Sequence, residues 1–256
     1  MKPIVVGPDE GERLSSEHLI KVALPELDLL EFTVGAEYRG PGPHFHEHHA
    51  DSFFVLEGEL EFTAGAETLH AGPGTSVSVP PGVVHSFTNA GAHARFLNLH
   101  TPSGFSGYVR ARARGEQPDP VDFDQHHVDE HGGPGAAMVA LPGGGERFEW
   151  PDRTIAIRTD LPEVSLLEFT VQPGWEGVDL HHHDDHADSF FVLDGVGEFL
   201  RVGDAVHAEP GTLVTAPVGA THGIGRVDAP ARFLNLHTPD AGFVESIRRR
   251  ATRRAD

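Results

Sequence analysis

The 256-residue chain predicts an all-β fold: two tandem antiparallel sandwiches or barrels, each with a short helix at its C-terminal end. Three observations carry this expectation. First, residues 44–58 recur at residues 181–195, 137 positions on. The same offset of 137 relates Leu29, Leu30, Glu31, Phe32, Thr33 and Val34 to Leu166, Leu167, Glu168, Phe169, Thr170 and Val171. It also relates Arg95, Phe96, Leu97, Asn98, Leu99, His100, Thr101 and Pro102 to the run from Arg232 to Pro239, so one module is written twice. Second, each module reads as seven or eight short strands with turn residues between them, the pattern of an antiparallel sandwich or barrel rather than of βαβ units. Third, helical pattern is confined to one segment after each closing strand.

In chain order, Leu30, Phe32 and Val34 alternate with Glu31 and Thr33, which fits a half-buried strand over 27–34. Gly35, Gly40, Pro41, Gly42 and Pro43 then break the pattern and deliver the chain to His44. Residues 52–56 and 59–64, with a turn at Glu57 and Gly58, read as a hairpin. Further strands are expected over 68–71, 75–79 and 94–100, with the Pro80, Pro81, Gly82 turn ahead of His85. Helices are expected over 105–114 and 243–254. Their arginines (Arg110, Arg112 and Arg114; Arg248, Arg249, Arg250, Arg253 and Arg254) gather toward the C-terminal ends, where cations suit the helix dipole. We read them as solvated helix ends. Residues 115–135 hold Pro, Gly, Asp and His without apolar period and read as a linker, with His126, His127 and His131 facing solvent unless one caps a pocket. The expected domains are 1–115 and 136–256, joined by the linker 116–135.

Composition narrows the function. With 19 basic against 39 acidic residues, a net charge of −20 argues against a nucleic-acid partner and leaves small molecules. The apolar run at the N-terminus is too short for a signal peptide and no segment approaches a membrane span, so no membrane partner and a cytoplasmic location are the default expectations. No cysteine is present, which excludes disulfides and thiolate ligands.

The chemistry concentrates in residues 44–58. His44 and His46, spaced i, i+2, point to one face of a strand about 6.6 Å apart and could meet at one ion, with Asp51 following. His48 and His49 are spare donors nearby, and a surface histidine cluster is the bland alternative.

The chain resembles a bicupin, quercetin-dioxygenase-like. His44, His46, Asp51 and Gly58 meet the later part of the first cupin motif, and Gly74, Pro80, Gly82, His85 and Asn89 meet the second. In the second half the matching residues are His181, His183, Asp188 and Gly195, then Gly211, Pro217, Gly219 and His222. The resemblance implies two tandem cupin (jelly-roll) β-barrels with short C-terminal helices. The departures are Tyr38 and Trp175 where the first motif opens with glycine, aspartate for glutamate in both halves, Val218 in place of Pro81, and Arg226 where the second motif ends in asparagine.

Three imidazoles and a carboxylate form an N3O set suited to divalent Fe, Mn, Ni, Zn, Co or Cu, up to one per barrel. The expected metal residues are His44, His46, Asp51 and His85, then His181, His183, Asp188 and His222. Asp51 and Asp188 are also the expected catalytic groups, as bases or through a ligated water. His49 with His186, His70 with His207, Asn98 with Asn235 and His100 with His237 also recur. His70 and His207 are expected at the surface, whereas Asn98 and His100 either line the pocket or bond at its rim. Phe53, Val55 and Phe87, with Phe190, Val192 and Ile224, share the parity of the site, but as apolar core they need no function, and the phenylalanines are read as core.

The resemblance implies a metal-dependent oxidoreductase, a dioxygenase on a small enolisable or phenolic substrate. A metal-dependent isomerase, epimerase or hydrolase, and a non-catalytic ligand-binding protein, are the alternatives. The N-terminal site is expected to be the active one because its second motif is complete, although Arg226 could hold an acidic substrate in the other. The chain could be a monomer whose two barrels pack as single cupins pack in dimers, or a homodimer, with Phe54, Leu56, Phe191 and Leu193 as exposed apolar strand faces.

Overall fold

The alternation read over 27–34 becomes the strand Leu27–Gly35, whose Leu30, Phe32 and Val34 point into a core. The computed structural model describes residues 1–252 and divides into two compact units. One unit spans residues 11–143; the other joins residues 1–10 to the chain from 144 onward.

In the first unit one sheet runs in the order Met138–Ala140, Ser76–Val79, Ala50–Ala64, His85–Thr101, Leu27–Gly35, His18–Leu24 and Glu12–Arg13, with antiparallel neighbours. Glu67–Ala71 pairs with the far end of Ala50–Ala64, and the short strand His44–Phe45 lies between His126–His127 and His85. The hairpin expected at Glu57 and Gly58 is not formed. Ala50–Ala64 is one continuous strand of 15 residues, with register shifts between Val55 and Glu57 and between Gly58 and Leu60. Gly58 takes a left-handed φ of 73° and bulges the strand instead of reversing it, so the strand bends and keeps the same partner.

In the second unit the two layers are separate sheets. Seven strands run in the order Ile4–Val6, Leu213–Ala216, Ala187–Asp194, Ala231–Thr238, Val164–Val171, Arg153–Leu161 and Glu146–Trp150. Four more, Val178–His181, His222–Ile224, Gly197–Arg201 and Asp204–Ala208, make the opposite sheet. Phe190 and Phe233 from the larger sheet meet Phe199 and Ile224 from the smaller in one core. The first unit repeats this with Phe53, Phe62, Phe87 and Phe96, where edge-on rings sit 4.8 Å apart in the pairs of Phe53 with Phe62 and with Phe87.

Each closing strand leads into a short helix, α1 at Phe105–Ala113 and α2 at Phe243–Thr252. The last two residues of the expected second helix, Arg253 and Arg254, lie outside the described residues. α1 stops at Ala113, with Arg114 as its C-cap.

The units are not divided as 1–115, 116–135 and 136–256. Ile4–Val6 pairs with Leu213–Ala216, and Met138–Ala140 pairs with Ser76–Val79. The segment expected to be a linker folds onto the first unit through a 3-10 turn at Pro120–Phe123 and the strand His126–His127, because Phe123 packs edge-on against Tyr108 of α1 and His126 stacks on Phe45. No helix among the described residues is long and apolar enough to cross a membrane.

Candidate metal centre

Strand pairing assembles the first centre. His44 lies opposite His85, and Asp51 lies between Val79 on one side and His100 on the other, so four strands converge there. The ligating atoms of His44, His46, Asp51 and His85 all fall within 4.8 Å of one another. His181, His183, Asp188 and His222 make the equivalent group in the second unit. The structure thus brings together all eight residues the sequence singled out.

The imidazoles are oriented from behind. His44, His46 and His85 each donate Nδ1–H to a carbonyl, of Gly42 at 2.9 Å, Asp124 at 2.7 Å and Val83 at 2.9 Å, which fixes each neutral ring with its Nε2 lone pair free. In the second centre His181 and His222 bond the carbonyls of Asp179 and Ala220 in the same way. The Nε2 atoms of His46 and His183 are buried with no hydrogen-bond partner. His85 Nε2 stands 3.3 Å and His46 Nε2 3.7 Å from the same oxygen, Oδ2 of Asp51. With Nδ1 carrying the proton, these are lone pairs facing a carboxylate oxygen, an arrangement a cation satisfies. The donor set therefore fits a metal ion.

Electrostatics agree. Burial, then the neighbouring His85 and His46, lower His44 to about 2, so it is neutral, the form a metal requires. Burial acts to raise Asp51, but the neighbouring His100, His46 and His85 outweigh it and hold the carboxyl well below its ordinary range. Asp188 is held down by the same balance, with His237, His183 and His222 outweighing burial. Burial lowers His222, yet the carboxylate of Asp188, 3.0 Å away, leaves it raised in the metal-free protein, where a proton holds the place on Nε2 that a metal would take.

Behind each carboxylate runs a second set of recurring residues, which sequence left open between pocket lining and rim. Asn98 donates from Nδ2 to Asp51 Oδ1 at 2.5 Å, accepts at Oδ1 from His100 Nε2 at 3.0 Å, and His100 Nδ1 meets His49 Nε2 at 2.8 Å. Asn235, His237 and His186 reproduce the chain behind Asp188. The asparagine turns Oδ2 inward by occupying Oδ1. Phe105 and Phe243, the first residues of α1 and α2, stack on His100 and His237 at 4.2 Å. Sequence gave no sign of that helix role.

Each centre sits in a cavity, of about 540 Å³ in the first unit and 530 Å³ in the second. Tyr38 and Trp175, at the positions where the first motif opens with glycine, line these cavities. Phe32, Phe87, Phe105 and Tyr108 complete an aromatic wall in the first. Phe190 and Ile224 line the second, whereas Phe53, Val55 and Val192 are core. Arg112 reaches the first cavity, while Arg110 and Arg114 pair with Glu12 and Glu116. His127 lines the first cavity near His44, and His131 bonds Ser86. His70 and His207 are exposed and face Glu59 and Glu198. Arg226 does not line the second cavity; it is exposed beside Glu176, which does line it, and Asp228. Asn89 bonds the backbone at Gly35 and Gly91 and is structural.

Comparisons with known proteins agree with this geometry. The cupin domain model matches residues 30–100 and again residues 167–237. Quercetin 2,3-dioxygenase of Bacillus subtilis is 28% identical over 116 residues, 42% of this chain and 34% of that protein. The chain thus spans about a third of that relative's length. Among solved structures, salicylate 1,2-dioxygenase from Pseudaminobacter salicylatoxidans superposes with a TM-score of 0.67 at 12% identity, covering 96% of this chain and 85% of that one. The oxalate decarboxylase of Bacillus subtilis, described with Mn(II) centres, superposes with a TM-score of 0.64 at 16% identity, covering 94% and 78%. At such identities these structures speak for the fold. With both repeats matched, the chain belongs to the cupin family as a tandem pair of jelly-roll cupin domains.

Proposed function

We propose that both centres hold a divalent transition metal and that the protein is an oxygen-dependent oxidoreductase, a dioxygenase acting on a small enolisable or phenolic substrate. The observation that carries the reading is the convergence of imidazole lone pairs and one ionised carboxylate oxygen at an aromatic-lined cavity. His44, His46 and His85 are the imidazole ligands of the first metal; His181, His183 and His222 are those of the second. Asp51 and Asp188 stand beside them as the anionic groups. The N3O donor set suits Fe, Mn, Co, Ni, Cu or Zn, and oxygen chemistry favours the redox-active ones, Fe, Mn, Ni and Cu. The metal would supply a Lewis-acidic centre and a path for electrons from substrate to dioxygen.

The chain's own groups do the rest. Asp51 is ionised and can take a proton, and its low carboxyl calls for a hydroxyl that a bound metal would make acidic. Phenols and enols supply such hydroxyls. Asn98 keeps Oδ1 occupied, so the proton is received at Oδ2, on the cavity side. Phe32, Phe87, Phe105 and Tyr108 offer flat apolar faces for a ring and exclude water from it. The 28% identity to a quercetin dioxygenase over part of the chain supports the oxygen-dependent reading. We assign turnover to the first centre, where the His46 side chain is 2% exposed against 22% for His183.

Dioxygen uptake with a panel of phenols, flavonols and enediols, run beside an anaerobic control, tests this. Uptake that depends on substrate, is lost in His44→Ala and survives in His181→Ala is the expected result. Turnover that persists without oxygen contradicts it. Asp51→Ala is expected to lower kcat by about 10²- to 10⁴-fold, the usual contribution of a positioned base.

A further inference from the structure

One residue of the segment between the repeats touches four consecutive residues of the first ligand loop. Asp124 accepts His46 Nδ1–H on its backbone carbonyl at 2.7 Å. Its carboxylate accepts the backbone N–H of Glu47 at 2.9 Å and of His48 at 2.8 Å, and meets His49 Nδ1 at 2.9 Å. Asp124 is also the one described residue other than glycine with a positive φ, 58°, and it caps the 3-10 turn Pro120–Phe123. That conformation lets one residue present its carbonyl and its carboxylate to the same loop. Burial acts to raise its carboxyl, but the N–H groups of His48 and Glu47 outweigh this and keep it ionised.

The second centre is built otherwise. His186 Nδ1 meets Asp185 of its own loop at 2.7 Å. Among the described residues no side chain from another segment accepts from the backbone of 182–185, and the Nδ1 of His183 has no such carbonyl behind it.

We propose that Asp124 is the positioning residue of the first metal centre: it fixes the tautomer and aim of His46 and locks the 46–49 loop, making the first centre the preorganised, tighter site and the second the looser one. The inference rests on reading the first cluster as a metal site. Loss of the carboxylate frees the N–H groups of Glu47 and His48 and the Nδ1 of His49, and lost support of this kind behind a ligand typically weakens metal binding by about 10- to 100-fold. The carboxylate is separable from the backbone geometry, because glycine accepts a left-handed φ without a side chain.

Co(II) titration of the full chain, followed by visible absorption, tests the role without requiring turnover. A His181→Ala, His183→Ala background confines loading to the first centre. Asp124→Gly in that background is expected to weaken Co(II) binding by about 10- to 100-fold and to alter the absorption bands. Asp124→Asn, which tolerates the same φ and keeps one acceptor, is expected to recover part of both. Unchanged affinity and spectrum in a folded Asp124→Gly protein would overturn the positioning role and leave the metal site standing. If the glycine variant does not fold, Asp124→Asn decides alike, since parental affinity and spectrum there overturn the role. Failure of the background protein to take up Co(II) would overturn the metal site itself, and the role with it.

Discussion

Asn98 shows how one buried amide sets the chemistry of a neighbour. Its Nδ2 serves Asp51 Oδ1 and its Oδ1 accepts from His100, so the carboxylate is left with one inward oxygen. The same logic of forced protonation states extends to the buried histidines and fixes how the metal-free protein responds to acid. Burial lowers His44 to about 2 and, aided by His46, His49 to about 4; burial also lowers His237 to about 4. In the unfolded chain these rings take up a proton near pH 6.5. The native state then binds fewer protons, so stability present above about pH 6.5 is lost as pH falls toward about 4, by up to about 1.4 kcal/mol per pH unit for each ring. His222 is raised and works in the opposite sense. The depressed carboxyls of Asp51 and Asp188 add their loss only below about pH 4. Urea midpoints of chelator-treated protein are therefore expected to fall steadily from pH 7.5 to pH 5. A flat profile would mean that these rings are already solvated.

At the scale of elements, the long strand Ala50–Ala64 links core and site, and its bulge decides where each part points. Its first residues carry Asp51 into the centre; beyond the bulge, Leu60 and Phe62 return to the core. A Cβ on Gly58 would lie 2.0 Å from the carbonyl oxygen of His93, whereas one on Gly82, also left-handed at φ 80°, meets nothing within 4 Å. Gly82→Ala is expected to cost only the conformational term, about 1 kcal/mol. Gly58→Ala adds a backbone clash and is expected to lower the Tm clearly more. Equal melting shifts for the two variants would show that the bulge relaxes freely. The sequence marked Gly58 as a break in the pattern but not its kind. A bulge and a turn both call for glycine, and only the partner strand, continuous over His85–Thr101, distinguishes them.

For the whole molecule, the repeat at a fixed offset revealed two copies of one sandwich, and the spacing of His44, His46, Asp51 and His85 revealed which side chains would meet. Both were legible because strand parity and turn residues act locally. What was not legible acts at a distance. Residues 115–135 have no apolar period, so nothing announced that Asp124 would reach the 46–49 loop with a carbonyl and a carboxylate. The edge strand Ile4–Val6 likewise carries no mark of its partner, Leu213–Ala216. Asn98 and His100 were visible as recurring residues, but their bonds to Asp51 and His49 needed the fold. The most direct test of the account is metal content per chain by plasma mass spectrometry, on untagged protein purified without chelator or added metal. The account predicts one transition-metal ion per cupin domain, two per chain. Protein that carries no metal and takes up none on titration would contradict it.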